Sequence, residues 1–267
     1  MAASAEAYQA TDGAAYEMFL GRRSRLLAEA LLDFAAFADD GPLLDVGCGT
    51  GSLACTMAAR WPGRRIVGVD SSEAFLAFAR SRAAGPTFDL GDATALPYDD
   101  GAFDGTATQL VLNFIPNAEA AVAEMRRVTR RCGIVAAAVF DFRGGALFHR
   151  LFWDTAAAID REAVDRRALL FSSRPALPGG LRELFAAAGL EGIDDGLITI
   201  RMDYANFDDY WRPLLGGQGP VGSYVARLAG DVRDRLEAAV RAAYCAGAPD
   251  GPRAMSATAW AVRAIAP

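Results

Sequence analysis

The sequence predicts an α/β fold: a seven-stranded, mostly parallel sheet with helices on both faces. Three observations predict it. Short apolar runs alternate with helix-period patterns from Leu43 to Phe140. A glycine-rich turn, Gly47-Cys48-Gly49-Thr50-Gly51, follows the first run directly. Beyond Phe140 the alternation gives way to longer amphipathic stretches with two further strand-like runs. Strands joined through helices favour parallel pairing with right-handed crossovers.

The first 40 residues read as helix, because Leu26, Leu27, Ala30, Leu31, Phe34, Ala35 and Ala38 recur at helical spacing. Asp39-Asp40-Gly41-Pro42 breaks the pattern. Leu43-Leu44-Asp45-Val46 is a short apolar run of the kind buried in parallel sheets. A helix is expected over Ser52–Arg60, a second strand over Arg65–Asp70 and a helix around Glu73–Ala83. Thr87–Leu90 gives a third strand, and Phe103–Thr108 begins a fourth. A helix over Ala118–Thr129 leads to a fifth strand, Gly133–Phe140. Ala146–Arg167 reads as one or two amphipathic helices. Pro178-Gly179-Gly180 opens a helix over Leu181–Ala188, closed by Gly189. Ile193–Met202 and Ala257–Ile265 are the last two strands, separated by a mostly helical stretch over Phe207–Tyr244 that Gly216–Pro220 interrupts.

Composition narrows the function. The chain has 267 residues, a net charge of −6 and no lysine, so arginine carries all the fixed positive side-chain charge. An acidic chain is poorly suited to nucleic acid, which needs a basic face, and Arg126-Arg127 and Arg130-Arg131 read as the solvated face of a helix. Four cysteines without a C-x-x-C pair, and a single histidine, His149, predict neither a zinc site nor a disulfide framework. No charged start is followed by an apolar segment, and no apolar run approaches a membrane span. These features predict a cytoplasmic chain with no metal, no nucleic-acid partner and no membrane partner; oligomeric state is left open.

The glycine loop is the most informative stretch. Gly47, Gly49 and Gly51 permit a tight strand-to-helix turn and close approach of a ligand to the backbone. The helix that follows offers unpaired N–H groups at its N-terminus. Asp70 ends the second strand 19 residues after Gly51, where a carboxylate can accept from a ribose diol. Asp92, in Gly91-Asp92-Ala93, follows the third strand and can accept from an adenine amine. Asp70 can equally cap a helix, and Asp92 can form a turn. All three features lie at carboxyl ends of successive strands, where open α/β sheets bind ligands.

Taken in order, Leu44–Gly51, Val69-Asp70-Ser71-Ser72-Glu73, Gly91-Asp92-Ala93 with Leu96-Pro97, and Phe103-Asp104 resemble the successive motifs of class I S-adenosylmethionine-dependent methyltransferases acting on small molecules, of the methyltransferase type 11/25 kind. The resemblance covers roughly residues 43–140. It implies a Rossmann-like sheet with an antiparallel last strand and S-adenosylmethionine as cofactor. By the same resemblance, backbone at Gly47 and Gly49 holds the methionine portion, with Asp45 in support, and Gly51 is a further cofactor-binding candidate. Asp70 and Ser71 bind the ribose, Asp92 and Ala93 the adenine, and Gln109 meets the methionine end through its backbone. Phe19–Ser24 resembles a segment that precedes this domain in one subgroup and folds over the cofactor, so Arg22 is a candidate partner for its carboxylate; Arg23 departs from that pattern. The expected division is an N-terminal helical segment at 1–40, a core at 41–142, 178–204 and 255–267, and a helical cap from insertions at 143–177 and 205–250.

Methyl transfer from a sulfonium needs alignment more than a base. His149 and Asp141, just past the fifth strand, are the candidate bases. Phe152 and Trp153, with Tyr210 and Trp211, are aromatic-rich positions that either wall an apolar substrate pocket or pack helices on the sheet. The fourth strand runs into Gln109–Phe114 and lacks an Asn-Pro-Pro-Tyr motif, which with the acidic charge favours a small-molecule acceptor. Two rivals remain: a non-catalytic cofactor-binding protein of the same fold, and a nicotinamide-dependent oxidoreductase. The second has a G-x-G-x-x-G fingerprint, whereas Ser52 stands here at its last position, and it does not account for Gly91-Asp92-Ala93. A third use of the same cofactor, in a different reaction, is also open.

Overall fold

The computed structural model describes residues 12–82 and 84–267, the side chain of Arg22 excepted. Among them, a short helix α1 (Gly13–Tyr16) runs through a single π-helical turn (Glu17–Gly21) into α2 (Arg22–Ala35). The alternating part follows as β1 (Leu43–Val46), α3 (Ser52–Arg60), β2 (Ile66–Asp70), α4 (Glu73–Arg82), β3 (Thr87–Leu90), β4 (Phe103–Gln109), α5 (Ala118–Val128) and β5 (Thr129–Phe140). Then come α6 (Leu147–Ala157), α7 (Arg161–Phe171), α8 (Gly180–Ala187), β6 (Glu191–Tyr204), α9 (Phe207–Trp211), α10 (Gly219–Val225), α11 (Gly230–Cys245) and β7 (Arg253–Ile265).

The strands form one sheet in the order β3-β2-β1-β4-β5-β7-β6. β1 pairs in parallel with β2 and β4, and β3 and β5 extend the sheet in parallel on either side. β7 inserts antiparallel between β5 and β6. Strand order therefore reverses direction at β1 and β4. Right-handed crossovers send the connections of the two halves to opposite faces, and open a crevice at the carboxyl ends of the strands. Central strands covered on both faces must be apolar throughout. All four residues of β1 are buried, Asp45 included.

Several boundaries differ from the sequence expectation. α2 stops at Ala35, because Ala36 adopts a left-handed conformation (φ 50°) and its N–H bonds Leu32 O. β5 begins at Thr129 instead of Gly133: Thr129 is extended and pairs Phe103, and the register then shifts before Gly105 pairs Ile134. β6 and β7 are each longer than expected, since they pair with each other from Glu191↔Ile265 to Tyr204↔Arg253. The polar outer positions of this edge ribbon carried no apolar signal.

Helices α6, α9 and α10 meet in an aromatic cluster. Phe207 stacks on Trp211 (5.8 Å between centroids, 15°), and Phe152 and Trp153 both lie against Tyr224 at 6.1 and 5.4 Å. Tyr210 donates its hydroxyl to Phe148 O at 2.8 Å, and Tyr224 donates to Asp160 at 2.7 Å. Large aromatic side chains buried together supply both area and geometric preference. Replacing Trp211 with Ala is expected to cost about 3–5 kcal/mol of stability, the range for deleting a large buried ring, read as a lower urea midpoint; a midpoint within error of the parent would show that the ring is not packed as described.

Candidate functional site

A cavity of about 590 Å³ runs along the carboxyl ends of β1 to β5. The glycine loop forms one wall. Gly47, Gly49 and Gly51 take φ of 70°, 53° and 83°, which side chains with a Cβ rarely tolerate. At Gly47 an added Cβ would also sit 2.6 Å from a Val111 methyl. The Gly47 and Cys48 N–H groups donate to Val69 O at 2.8 and 3.0 Å, which ties the loop to β2.

Three carboxylates flank that loop. Asp70, at the end of β2, accepts from Gly49 N–H through Oδ2 (2.8 Å) and from Ser72 N–H through Oδ1 (2.9 Å). Burial raises its carboxyl above the usual range despite these donors. Asp45, in β1, accepts from Ala54 N–H at 2.9 Å and so pins the start of α3. Burial pushes its carboxyl up to about 8, opposed by the Ala54 N–H and reinforced by the nearby Asp70. Asp92 is set by its own turn: Oδ1 accepts the Thr94 N–H and hydroxyl, both at 2.8 Å. The Thr94 N–H, then its hydroxyl, hold the Asp92 carboxyl below the usual range.

The N-terminal segment crosses this cleft, and Tyr16, Phe19, Leu20 and Ser24 line it. Glu17 holds the segment down. It pairs with Arg25, with Arg82 of α4 (2.6 Å), and accepts from the Thr50 hydroxyl of the glycine loop (3.4 Å). Burial opposes ionisation of Glu17, but hydrogen bonds from Arg25 and Arg82 hold its carboxyl below the usual range. The π-helical turn at Glu17–Gly21 lies in the same stretch; such turns recur at functional sites.

The structure brings most of the expected residues to one place. Asp45, Gly47, Gly49, Asp70, Ser71, Asp92, Ala93, Gln109 and His149 all line the cavity. Gln109 does so at the end of β4 while its side-chain amide donates to Ser24 O at 2.9 Å. Gly51 is not in the wall; it is the left-handed residue that starts α3. Arg22 opens α2, and its side chain lies outside the described residues.

Two sets of expectations are corrected. Asp141 is not in the wall: its Oδ1 accepts from Arg143 N–H and Gly144 N–H at 3.0 and 3.1 Å, so it builds the turn after β5. Phe152, Trp153, Tyr210 and Trp211 are not in the wall either, and each is at most 2% exposed within the aromatic cluster. The apolar wall is instead Phe19, Phe114, Ile115, Phe140, Phe142 and Leu170. Leu110 is a further residue that sequence reasoning missed. It lines the cavity with φ 62° directly after β4, its N–H bonded to Ala138 O at 2.8 Å. Left-handed non-glycine residues persist where surroundings over-determine them, often at sites.

Comparison with known proteins agrees with this geometry. Residues 44–137 match the family model of a methyltransferase domain. The ubiquinone/menaquinone biosynthesis C-methyltransferase of Paracoccus denitrificans is 36% identical over 123 residues, 44% of this chain and 49% of that protein. The malonyl-[acyl-carrier protein] O-methyltransferase of Dechloromonas aromatica is 33% identical over 198 residues, 74% of this chain and 66% of that protein. Matches to such relatives commonly span about half of their length. Among solved structures, the phosphoethanolamine N-methyltransferase 2 of Haemonchus contortus in complex with S-adenosyl-L-methionine shares the fold, with a TM-score of 0.57, 16% identity, and coverage of 95% of this chain and 56% of that one. By its matched domain and its relatives, this chain belongs to the class I S-adenosylmethionine-dependent methyltransferases.

Proposed function

We propose that the chain binds S-adenosylmethionine in this cleft and transfers its methyl group to a small-molecule acceptor in the cytosol. The observation that carries the reading is the convergence of the glycine loop, Asp70 and Asp92 on one cavity. The donor set fits the cofactor. Backbone at Gly47 and Gly49 can approach the methionine portion closely, with Asp45 behind it. Asp70 and Ser71 would take the ribose hydroxyls, and Asp92 with the Ala93 backbone the adenine. Of the N-terminal segment at 1–40, residues 1–11 lie outside the described residues, and 12–40 form the segment over the cleft in this reading. Residues 41–142, 178–204 and 255–267 form the core, and 143–177 with 205–250 the cap.

Bound there, S-adenosylmethionine supplies a methyl group already activated by the positive charge on its sulfur. The chain's contribution is alignment and exclusion of water. Alignment of reacting partners can supply roughly 7–11 kcal/mol of barrier reduction. The segment carrying Tyr16, Phe19 and Leu20 covers the cleft, and the Phe140–Phe142 turn closes its far side. His149 is neutral in the folded chain, because burial pushes its imidazole down to about 3. It acts as a hydrogen-bonding group at neutral pH, not as a charged one.

Calorimetric titration with S-adenosylmethionine, and separately with a reduced nicotinamide cofactor, tests the reading. S-adenosylmethionine is expected to bind, and Asp70→Ala to weaken it by roughly 1.5–3 kcal/mol, the value of hydrogen bonds to a charged group. Binding of the nicotinamide alone would overturn the assignment.

The buried imidazole also fixes a pH dependence. Unfolding lets His149 take a proton below its ordinary value of 6.5, which the folded chain refuses until about pH 3. Its contribution is therefore complete above pH 6.5 and lost progressively as pH falls through that window. The Asp45 carboxyl, raised to about 8, acts in the opposite sense over the same window, so the His149 contribution is read as the difference between the parent and His149→Phe. Between pH 6.5 and 5 the parent is expected to lose about 2 kcal/mol relative to the variant, read from the two urea midpoints against pH. A difference that stays constant across that window would show that the imidazole is not buried neutral.

A further inference from the structure

The cavity is longer than its cofactor-type half. The residues that fit S-adenosylmethionine come from the ends of β1, β2 and β3. Phe140, Phe142 and His149 come from the end of β5 and the turn and helix beyond it. β2 and β5 are separated by β1 and β4, so the two ends stand roughly 14 Å apart at the usual strand spacing. Two features distinguish the β5 end. Its wall is aromatic and aliphatic, and the His149 ring is enclosed by Phe142, Phe148 and Phe19 at 5.2, 4.4 and 6.5 Å. Beside it, at the ends of β4 and β5, several buried polar atoms have no protein partner: His149 Nδ1, both side-chain amide atoms of Asn113, and Gln109 Oε1.

Leaving a buried donor or acceptor unpaired costs about 1–3 kcal/mol each, and all of these belong to residues lining one cavity. Such a group is tolerated where a ligand completes it. The charge of the wall defines that ligand further. Among the described residues the lining contains the carboxylates Asp45, Asp70 and Asp92 and no arginine, and the sequence has no lysine. Beside S-adenosylhomocysteine, whose sulfur is neutral, a carboxylate or phosphate at the β5 end would be buried with no counter-charge from the described side chains of the wall, which is strongly disfavoured.

We propose that the β5 end of the cavity binds an uncharged, largely apolar acceptor carrying a hydroxyl, and that His149 and Asn113 hold this hydroxyl by hydrogen bonds while the phenylalanines pack its apolar body. The inference rests on the methyltransferase reading and narrows its acceptor class. It separates this chain from acceptors that present a free carboxylate. An imidazole held neutral by burial accepts a hydrogen bond from a hydroxyl and offers no charge to an anion, and the Asn113 amide can both donate and accept.

The probes are 2-naphthol, naphthalene and 2-naphthoate, titrated by ligand-observed NMR against the protein saturated with S-adenosylhomocysteine. The expected order is naphthol tightest, with naphthalene and naphthoate weaker by about tenfold or more, the equivalent of one well-made hydrogen bond. His149→Phe keeps the ring packing and removes the nitrogen. It is expected to cut naphthol affinity about tenfold and to leave S-adenosylhomocysteine affinity, measured by calorimetry on the same sample, within twofold. Asn113→Leu is the second variant, expected to behave alike. Naphthoate binding as tightly as naphthol, no naphthol binding to the parent, or naphthol affinity unchanged in both variants overturns the inference while leaving the cofactor reading intact. Failure of S-adenosylhomocysteine to bind the parent defeats the cofactor reading instead, and the acceptor assignment with it.

Discussion

The hydrogen bond from Gly49 N–H to Asp70 Oδ2, 2.8 Å long, joins the glycine loop to the end of the neighbouring strand. Two more bonds, from Gly47 and Cys48 to Val69 O, make the same connection through the backbone. They let a loop with three left-handed glycines hold one shape. A carboxylate receiving backbone N–H groups in a buried setting has little freedom, which fixes the face it offers to a ligand. Asp45 repeats the arrangement one strand over, where Ala54 N–H fastens the first turn of α3 to β1. Both carboxyls are raised by burial. That cost is accepted where a ligand with its own donors completes the site.

Everything on the open side of the cleft depends on that frame. Glu17 reaches the loop through the Thr50 hydroxyl and α4 through Arg82, so the N-terminal segment is tied to the elements that carry Asp70. The segment in turn supplies Phe19, which faces His149 across the cavity. Helices α6, α9 and α10 act from behind. Their aromatic cluster fastens α9 and α10 to α6 through Tyr210 and the Phe152–Tyr224 contact, and α6 carries His149, which lines the cavity. The glycine loop, Asp70 and Asp92 thus sit at strand ends, while His149 sits on α6, beyond the alternating strands.

Much of this was legible from residue order. The glycines, Asp70 and Asp92 are local signals: each follows a short apolar strand at a spacing that one βα unit imposes, so topology alone carries them to one crevice. The rest depends on contacts far apart in sequence. Gln109 meets Ser24 across 85 positions, and Tyr210 meets Phe148 across 62. Phe152, Trp153, Tyr210 and Trp211 misled because a ring at helical spacing reads the same whether it faces a cavity or another helix. Asp141 misled because proximity to a strand end does not reveal that its carboxylate closes its own turn. Leu110 carried no signal at all, since a left-handed leucine is set by the sheet around it and not by its side chain. The early end of α2 at Ala36 is similar: the helical apolar pattern runs on past the point where the backbone turns.

If S-adenosylmethionine occupies the cleft framed by Gly49 and Asp70, an amide NMR titration of the isotopically labelled chain shows it residue by residue. The largest shifts are expected on Gly47, Gly49, Asp70, Ser71, Asp92, Ala93 and Gln109, with the aromatic cluster around Trp211 unmoved. Shifts absent from these residues, or gathered elsewhere on the chain, would contradict it.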